Sequence, residues 1–204
     1  MLEKYLDEIL SWNKKINLVS RKASRSDIIK HHIGDSLIIS NYFDFSKPLR
    51  IIDIGAGAGF PGIPLKIMFP DISLTLVDST RKKVDFLNHI IGILNLSNTD
   101  AIWDRAENLT KNKKYMENFD VAFARAVSNL KTISEYCLPF LKRGGTFIVQ
   151  KGKDIENELK EAKKTMTFLG GYVTNIIKLT DSESSKQKTL ILIKKFKSCV
   201  KNPH

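Results

Sequence analysis

The sequence lacks the features of a membrane protein and of a secreted one. No apolar run approaches the ~18 residues that a membrane-spanning helix needs. The N-terminus carries Glu3, Asp7 and Glu8 among its apolar residues, so it does not predict a secretion signal. The two cysteines, Cys137 and Cys199, have neither the spacing of a metal site nor enough partners for a disulfide framework. These absences predict a cytoplasmic protein.

Acidic residues are scarce relative to basic ones. The 22 Asp and Glu residues stand against 33 Lys and Arg, which gives a net charge of +11. The net charge is +3 in residues 1–50, +2 in residues 51–150 and +6 in residues 151–204. This distribution favours a polyanionic partner that binds beside the middle of the chain. A lysine-rich proteome would give the same excess, so charge alone leaves both explanations open.

The middle region opens with the most informative stretch of the chain, residues 51–65. An apolar run with one acid, Asp53, leads into a glycine-rich turn, and a helical pattern follows at 62–69. Glycine permits positive φ angles and lets a ligand approach the backbone without meeting a Cβ. The order of strand, turn and helix predicts a nucleotide-cofactor site at four glycines: Gly55, Gly57, Gly59 and Gly62. Asp53 can have a structural role and not a role at the cofactor, as an acid that pairs with the amides of the turn.

Strand and helix patterns alternate from Leu49 onward. The strand patterns cover residues 49–54, 72–78, 99–103, 119–124 and 146–150. The helical patterns between them cover residues 62–69, 81–94, 106–116 and 130–141. This alternation predicts a parallel sheet with helices on both faces. Gly144 and Gly145 predict a helix stop and a turn before the fifth strand.

The C-terminal part of the pattern is different. A helical pattern at 154–169 precedes two strand patterns, 172–179 and 189–196, with only the polar segment 180–188 between them. That segment is too short for a crossover helix, so these two strands should be antiparallel. The predicted fold is α/β, a Rossmann-like, seven-stranded, mostly parallel sheet that ends in an antiparallel hairpin. It resembles the sheet of class I S-adenosylmethionine-dependent methyltransferases.

Residues 1–48 precede the sheet. Apolar residues at helical spacing predict an amphipathic helix between Leu2 and Ile16, and residues 26–32 and 35–43 can form two more helices. We interpret residues 1–48 as a helical cap that belongs to the same domain as the cofactor-binding part, residues 49–204.

Asp78 strengthens the glycine pattern. Gly57-x-Gly59-x-x-Gly62 matches the dinucleotide fingerprint, which on its own is a weak signal. Asp78 ends the second strand pattern, 19 residues after Gly59, where a carboxylate can accept hydrogen bonds from the ribose hydroxyls of an adenosine. Nicotinamide cofactors and S-adenosylmethionine both contain adenosine, so these residues alone do not choose between them.

Further motifs make the resemblance specific. In chain order they are His32-Ile33-Gly34-Asp35-Ser36-Leu37, Asp53 to Leu65, Leu76-Val77-Asp78-Ser79, Lys82-Lys83, Phe86-Leu87, Arg105-Ala106-Glu107, Ala124-Arg125-Ala126 and Lys151-Gly152. With these motifs nearly the whole chain resembles the bacterial small-subunit (16S) ribosomal RNA guanine-N7 methyltransferase family. This family is also called glucose-inhibited division protein B. The most selective motif is the extension Phe60-Pro61-Gly62-Ile63-Pro64-Leu65.

The resemblance implies a set of cofactor residues. Gly55, Gly57 and Phe60 are expected to line the S-adenosylmethionine pocket, with Asp78 on the ribose. The resemblance also places two residues at the adenine end: Ala106, through its backbone, and Glu107.

The remaining candidate residues concern catalysis and RNA. Arg125 ends the fourth strand, where such sheets present reacting groups, and is expected to be catalytic and to lie at the cofactor. Whether it acts on the cofactor, the guanine or a phosphate stays open, and a surface ion pair is its ordinary alternative. With the resemblance, His32 and Lys151 are expected to bind RNA. His31 and His32 predict no metal site, because adjacent helical residues point about 100° apart.

Two catalytic motifs are absent, which fits methylation at N7. Guanine N7 carries a lone pair and no proton, so alignment can supply much of the barrier reduction without a strong base. The chain has no Asn-Pro-Pro-aromatic motif of amino-group methyltransferases and no Pro-Cys nucleophile of cytosine methyltransferases. Cys137 lies in a helical pattern and is expected in the core.

Two other functions stay open at this stage. A nicotinamide-dependent oxidoreductase would use the same glycine turn, although no hydride-transfer acid pair is recognisable. An RNA-binding protein with a structural cofactor would depend on the C-terminal lysines. For the methyltransferase, the expected partner is 16S ribosomal RNA or a small-subunit assembly particle. We expect the protein to be a monomer and not to associate with a membrane. We expect it to bind the RNA through the cap and the C-terminal lysines, with an affinity that falls as salt rises.

Overall fold

The computed structural model describes residues 1–125, 128–152, 155–179 and 187–198. Its strands are β1 (Arg50–Ile54), β2 (Ser73–Asp78), β3 (Thr99–Trp103), β4 (Phe119–Arg125), β5 (Leu141–Lys151), β6 (Gly171–Leu179) and β7 (Lys188–Lys195). They form one seven-stranded sheet in the order β3-β2-β1-β4-β5-β7-β6. β2 pairs in parallel with β1 and β3, and β4 pairs in parallel with β5, whereas β7 is antiparallel to β5 and β6. The predicted fold class is therefore confirmed.

The chain divides into two compact units, Met1–Arg105 and Ala106–His204. Residues 1–48 fall in the same unit as β1, β2 and β3, and the domain boundary predicted at residue 48 stays a prediction. Within the part of the chain that the structure describes, no helix is both long enough and apolar enough to cross a bilayer.

In the first unit, the central strands are apolar on both faces because helices cover them. All three isoleucines of β1 are buried. α4 (Gly62–Met68) follows β1, and α5 (Arg81–Ile93) follows β2. α5 buries Val84, Leu87 and Ile90 and so adds one apolar face to the core.

The N-terminal segment of this unit is helical, as predicted. α1 (Leu2–Asn13) buries one apolar face and packs on α5. The rings of Trp12 and Phe86 lie 5.5 Å apart in an edge-on arrangement, and the Glu8 carboxylate lies 2.8 Å from the His89 ring. These contacts hold α1 against α5.

A second helical stretch follows α1. It consists of α2 (Arg25–Ile28), a π-helical segment (Ile29–Gly34), α3 (Asp35–Leu37) and a 3-10 turn (Ile38–Asn41). Ser24 and Asp27 begin it with a capping box, in which each side chain accepts the other residue's amide. Helical structure is thus confirmed in this region, but as one continuous stretch over residues 25–41, only part of it α-helical, and not as two helices at 26–32 and 35–43.

In the second unit, the helix predicted at 106–116 is too long. α6 covers only Ala106–Leu109, after which the chain turns. The side-chain oxygen of Asn112 accepts the amide of Lys114 at 2.9 Å, and such a bond stabilises a turn in place of a helix.

The prediction for the glycine pair is also wrong. α7 (Leu130–Cys137) gives way to a 3-10 turn at Pro139, because proline cannot continue an α-helix. Gly144 and Gly145 then lie inside β5, which begins earlier than predicted. The β4–β5 register shifts here, and a Cβ on Gly145 would lie 3.1 Å from the main-chain oxygen of Phe119. Glycine therefore permits a close approach of two backbones.

The rest of the second unit follows the prediction. α8 (Glu156–Phe168) precedes the β6–β7 pair, in which Ile176 lies opposite Ile191. Cys137 is buried in the core, as predicted. Cys199 and most of the predicted connection at 180–188 lie outside the described residues.

Candidate functional site

The glycine-rich loop between β1 and α4 owes its path to positive φ angles. Gly55, Gly57 and Gly59 have φ angles of +71°, +59° and +96°, which residues with a Cβ rarely adopt. The amides of Gly55 and Ala56 both donate to the carbonyl of Val77, at 2.8 and 3.0 Å. These bonds hold the loop against the carboxyl end of β2.

The far end of the loop is packed too closely for side chains. A Cβ on Gly59 would lie 2.5 Å from Cδ1 of Ile63, and a Cβ on Gly62 would lie 3.0 Å from Oδ2 of Asp53. Asp53 is fully buried, and its Oδ2 accepts the Gly62 amide at 3.0 Å. Asp53 is thus the structural acid that the sequence offered as an alternative.

Asp78 is held beside the loop. Its Oδ2 accepts the amide of Gly57 at 3.0 Å, and its Oδ1 accepts the amide of Thr80 at 2.8 Å. The Lys83 ammonium lies 3.9 Å from Oδ2. A carboxylate has about four lone-pair sites, so these bonds orient Asp78 and leave acceptor capacity for a ligand's hydroxyls.

The Phe60 side chain is buried by aromatic neighbours from the N-terminal segment. Its ring centroid lies 5.6 Å from that of Tyr5 and 5.0 Å from that of His32. Two predicted site residues, Phe60 and His32, are therefore in contact. Because the Phe60 ring packs against its own chain, the group it offers a ligand is chiefly its main chain.

Tyr5 is a site residue that the sequence reasoning missed. It is fully buried, and its hydroxyl donates to the carbonyl of Ala58 in the glycine-rich loop at 2.5 Å. A tyrosine among the apolar residues of an amphipathic helix is the available signal, since a buried hydroxyl needs a partner.

Trp103 is a second missed residue. It ends β3, is the register partner of Asp78, and is 54% exposed. Its indole nitrogen donates to the carbonyl of Ser79 at 3.0 Å, and the Arg81 guanidinium lies 4.9 Å from its ring centroid. An exposed aromatic ring at the carboxyl end of a parallel strand is the signal that could have identified it.

Ala106 and Glu107 belong to the second unit, where they begin α6. Ala106 is buried, and contact of its main chain with a cofactor stays a prediction. Glu107 is exposed, and its carbonyl accepts the hydroxyl of Thr110 at 2.9 Å.

Arg125 and Lys151 lie at one edge of the second unit. Arg125 is the last residue of β4 and pairs in register with Gln150, and Lys151 follows Gln150 as the last residue of β5. Because β4 and β5 are parallel neighbours, their carboxyl ends bring these two predicted residues together. Ala126, the last residue of the Arg125 motif, lies outside the described residues.

Lys151 has partners within its own unit. Its ammonium donates to the carbonyl of Ser128 at 2.7 Å and lies 2.8 Å from the Glu158 carboxylate. The same carboxylate oxygen accepts the amide of Leu130 at 2.7 Å. Lys151 and Glu158 therefore hold the start of α7, and contact of Lys151 with RNA stays a prediction.

Comparison with known proteins identifies the family of this chain. A family model, GidB: rRNA small subunit methyltransferase G, matches residues 1–190. The chain belongs to the rRNA small subunit methyltransferase G family.

Relatives agree with this assignment, and a solved structure shares the fold. The chain is 46% identical over 195 residues to Ribosomal RNA small subunit methyltransferase G from Desulforamulus reducens, and the match covers 96% of this chain and 81% of that protein. The protein of the same name from Oceanobacillus iheyensis is 42% identical over 191 residues, which cover 94% and 80% of the two chains. A crystal structure of M. jannaschii TYW2 in complex with AdoMet has a TM-score of 0.66 at 14% identity, with 89% of this chain and 81% of that chain covered.

Membership of the methyltransferase G family confirms the resemblance inferred from the motifs. The structural likeness to TYW2 concerns the fold, because the identity is low. Within the family, the roles expected for Gly55, Phe60, Asp78 and Arg125 stay predictions about individual residues.

Proposed function

We propose that this chain transfers the methyl group of S-adenosylmethionine to N7 of a guanine in 16S ribosomal RNA. Membership of the family makes the chain a methyltransferase of small-subunit ribosomal RNA. The choice of N7 rests on the resemblance and on the chemistry of the residues.

The geometry of the loop and Asp78 is the observation that carries the proposal. Gly55, Gly57 and Gly59 adopt positive φ angles and carry no Cβ that would block a ligand. Asp78, oriented by two amides, keeps acceptor capacity for ribose hydroxyls. These residues fit an adenosyl cofactor, and the family match favours S-adenosylmethionine over a nicotinamide dinucleotide.

Specific residues of the chain would hold the cofactor. Main-chain groups from Gly55 to Phe60 would bind its amino-acid end, Asp78 its ribose, and Ala106 and Glu107 its adenine. S-adenosylmethionine supplies an electrophilic methyl group on a sulfonium. The protein's part is to hold the acceptor atom in line with that methyl group, which lowers the barrier through proximity and orientation.

Arg125 is the residue that we assign to the reacting guanine. Guanine N7 needs no proton removed, so the site requires a hydrogen-bond donor and not a base. Arg pairs well with guanine O6 and with phosphate, and a donor at O6 would orient the base. Lys151, at the carboxyl end of the neighbouring strand, is held by the Ser128 carbonyl and the Glu158 carboxylate. His32 would meet RNA from the N-terminal segment.

Labelled methyl transfer tests the proposal. The chain is incubated with methyl-labelled S-adenosylmethionine and either free 16S ribosomal RNA or small subunits from a strain without the family enzyme. We expect label at N7 of one guanine, and nuclease digestion with mass spectrometry locates it. Label on another atom, or none on either substrate, would contradict the proposal. The two substrates also decide between free RNA and an assembly particle. A monomeric state and a cytoplasmic location belong to the same proposal.

A further inference from the structure

A concave basic pocket lies in the first unit, outside the cofactor residues named above. Two chain segments line it: the turn after α1, with Lys15, Asn17 and Arg21, and the start of α5, with Lys82 and Lys83. We call this the basic pocket. Its volume is about 260 Å³, and no acidic residue lines it.

The cations of the basic pocket have little compensation from acids. Among the ion pairs formed by the described residues, none uses Lys15, Arg21 or Lys82. Lys83 alone approaches a carboxylate, that of Asp78 at 3.9 Å. Four like charges around one cavity repel each other, and a bound anion would relieve that repulsion.

Two further features concern the positive charge of the basic pocket: the orientation of Arg21 and the cations at the start of α5. The Arg21 guanidinium donates through Nε to the side-chain oxygen of Asn17 at 2.8 Å, which fixes its direction. The first turn of α5 carries Arg81, Lys82 and Lys83 and no acid. A helix start disfavours cations, and the Asp78 carboxylate, which accepts the Thr80 amide, offsets this in part, so a further anion here is favourable.

The position of the basic pocket indicates which anion it takes. Thr80 lines it, and the Thr80 amide donates to Asp78, the residue expected to bind the cofactor's ribose. An anion bound there lies next to the expected methyl donor. A polyanion that presents a base to that donor must place its backbone close by, and lysines bind such phosphates as point charges.

We propose that the basic pocket binds a backbone phosphate of the substrate RNA and so positions the target strand beside the cofactor. The proposal rests on the function proposed above. Its ligand is a phosphodiester group held by Lys15, Arg21 and Lys82.

The test compares the salt dependence of RNA binding. The variant is Lys15→Ala/Lys82→Ala, which leaves Lys83 and its contact with Asp78 in place. Each lysine–phosphate contact contributes about 0.7 to 0.9 to the slope of log K against log salt. We expect the slope of the double variant to be shallower by about 1.5 and its RNA affinity at low salt to be about tenfold or more weaker. Its affinity for S-adenosylmethionine, measured by calorimetry, should be unchanged.

Lys47→Ala is the matched control. Lys47 is an exposed lysine of the same unit that precedes β1, whereas the basic pocket follows the carboxyl end of β2. We expect its slope to match that of the unmodified chain. Both variants change exposed residues, and thermal unfolding verifies that each is folded.

Three outcomes separate this proposal from the proposed function. An unmodified chain that labels ribosomal RNA, together with a double variant of unchanged slope, overturns the role of the basic pocket alone. A double variant that loses only its binding of inorganic phosphate, with an unchanged RNA slope, overturns it as well and assigns the pocket to a small phosphate compound. An unmodified chain that labels no RNA overturns the proposed function, whatever the slopes.

Discussion

The two units present their candidate residues in different ways. In the first unit, the loop from Gly55 to Gly62 is a contiguous main-chain structure, held by amides that donate to Val77, Asp78 and Asp53. In the second unit, the edge that carries Arg125 and Lys151 consists of side chains from two strands. A site made of main-chain groups can be predicted from a local sequence pattern. A site made of side chains is harder to predict, because its residues and their partners are distant along the chain.

The largest effect is expected from Gly59→Ala. The residue has φ of +96°, and its Cβ would lie 2.5 Å from Ile63. Left-handed backbone and overpacking together should lower the free energy of unfolding by roughly 2–5 kcal/mol. Displacement of the loop should weaken S-adenosylmethionine binding by about 100-fold or more, as measured by calorimetry.

Gly92→Ala is the control for this variant. Gly92 lies in α5 with ordinary φ, and its Cβ would meet no atom within 4 Å. Alanine there should raise the free energy of unfolding by about 1 kcal/mol. Equal effects of the two substitutions would show that the backbone of the loop is not the essential feature.

Arg125→Ala should slow methyl transfer by about 10²-fold, because it removes a donor from the reacting base. Single-turnover kinetics with labelled cofactor measures the change. Arg143→Ala is the control, since Arg143 is exposed near the opposite end of β5 from Lys151. A rate that stays within twofold of the unmodified chain would remove Arg125 from the chemistry.

Glu158→Gln tests the side-chain partners of the second unit. Gln keeps an acceptor for the Leu130 amide but leaves the Lys151 ammonium without its counter-charge. We expect the free energy of unfolding to fall by about 1–2 kcal/mol, measured by urea titration. Glu161→Gln, an exposed acid on the same helix, should change it by less than about 0.5 kcal/mol. An equal response to both would mean that the Lys151–Glu158 pair does not stabilise this edge.

Tyr5→Phe should have the smallest effect. It removes the hydroxyl that donates to the Ala58 carbonyl, which lowers the free energy of unfolding by about 1 kcal/mol. Since Ala58 lies in the glycine-rich loop, cofactor affinity should fall a few-fold as well. The exposed Tyr42 provides the control Tyr42→Phe, for which neither quantity should change. If cofactor affinity did not respond to Tyr5→Phe, the N-terminal helix would not be supporting the loop.

Most of the fold was predictable because its signals are local. Apolar runs predicted β1, which ends at a glycine, and β2, which ends at Asp78, nearly to the residue. The short polar gap after Leu179 predicted the antiparallel pair. The errors arose where one side chain or one close approach decided the outcome. Asn112 stabilises a turn in the segment that follows α6, and the close backbones at Gly145 lie inside β5 where a turn was predicted.

The candidate site was predictable to the same extent. Spacing indicated the glycines and Asp78, because the turn and the strand end are set by neighbouring residues. It did not indicate that Tyr5 bonds to the loop across 53 residues, or that Trp103 lies beside Asp78 in the sheet. It also did not indicate that Lys151 pairs with Glu158. Such pairs form only when distant segments meet.

The central claim is that the glycine-rich loop and Asp78 bind an adenosyl methyl donor. A crystal structure of the chain with S-adenosylhomocysteine tests it most directly. We expect the ribose hydroxyls to bond to Asp78 and the amino-acid end to lie along the main chain from Gly55 to Phe60. Ligand density elsewhere in the chain, with this loop empty, would contradict the claim.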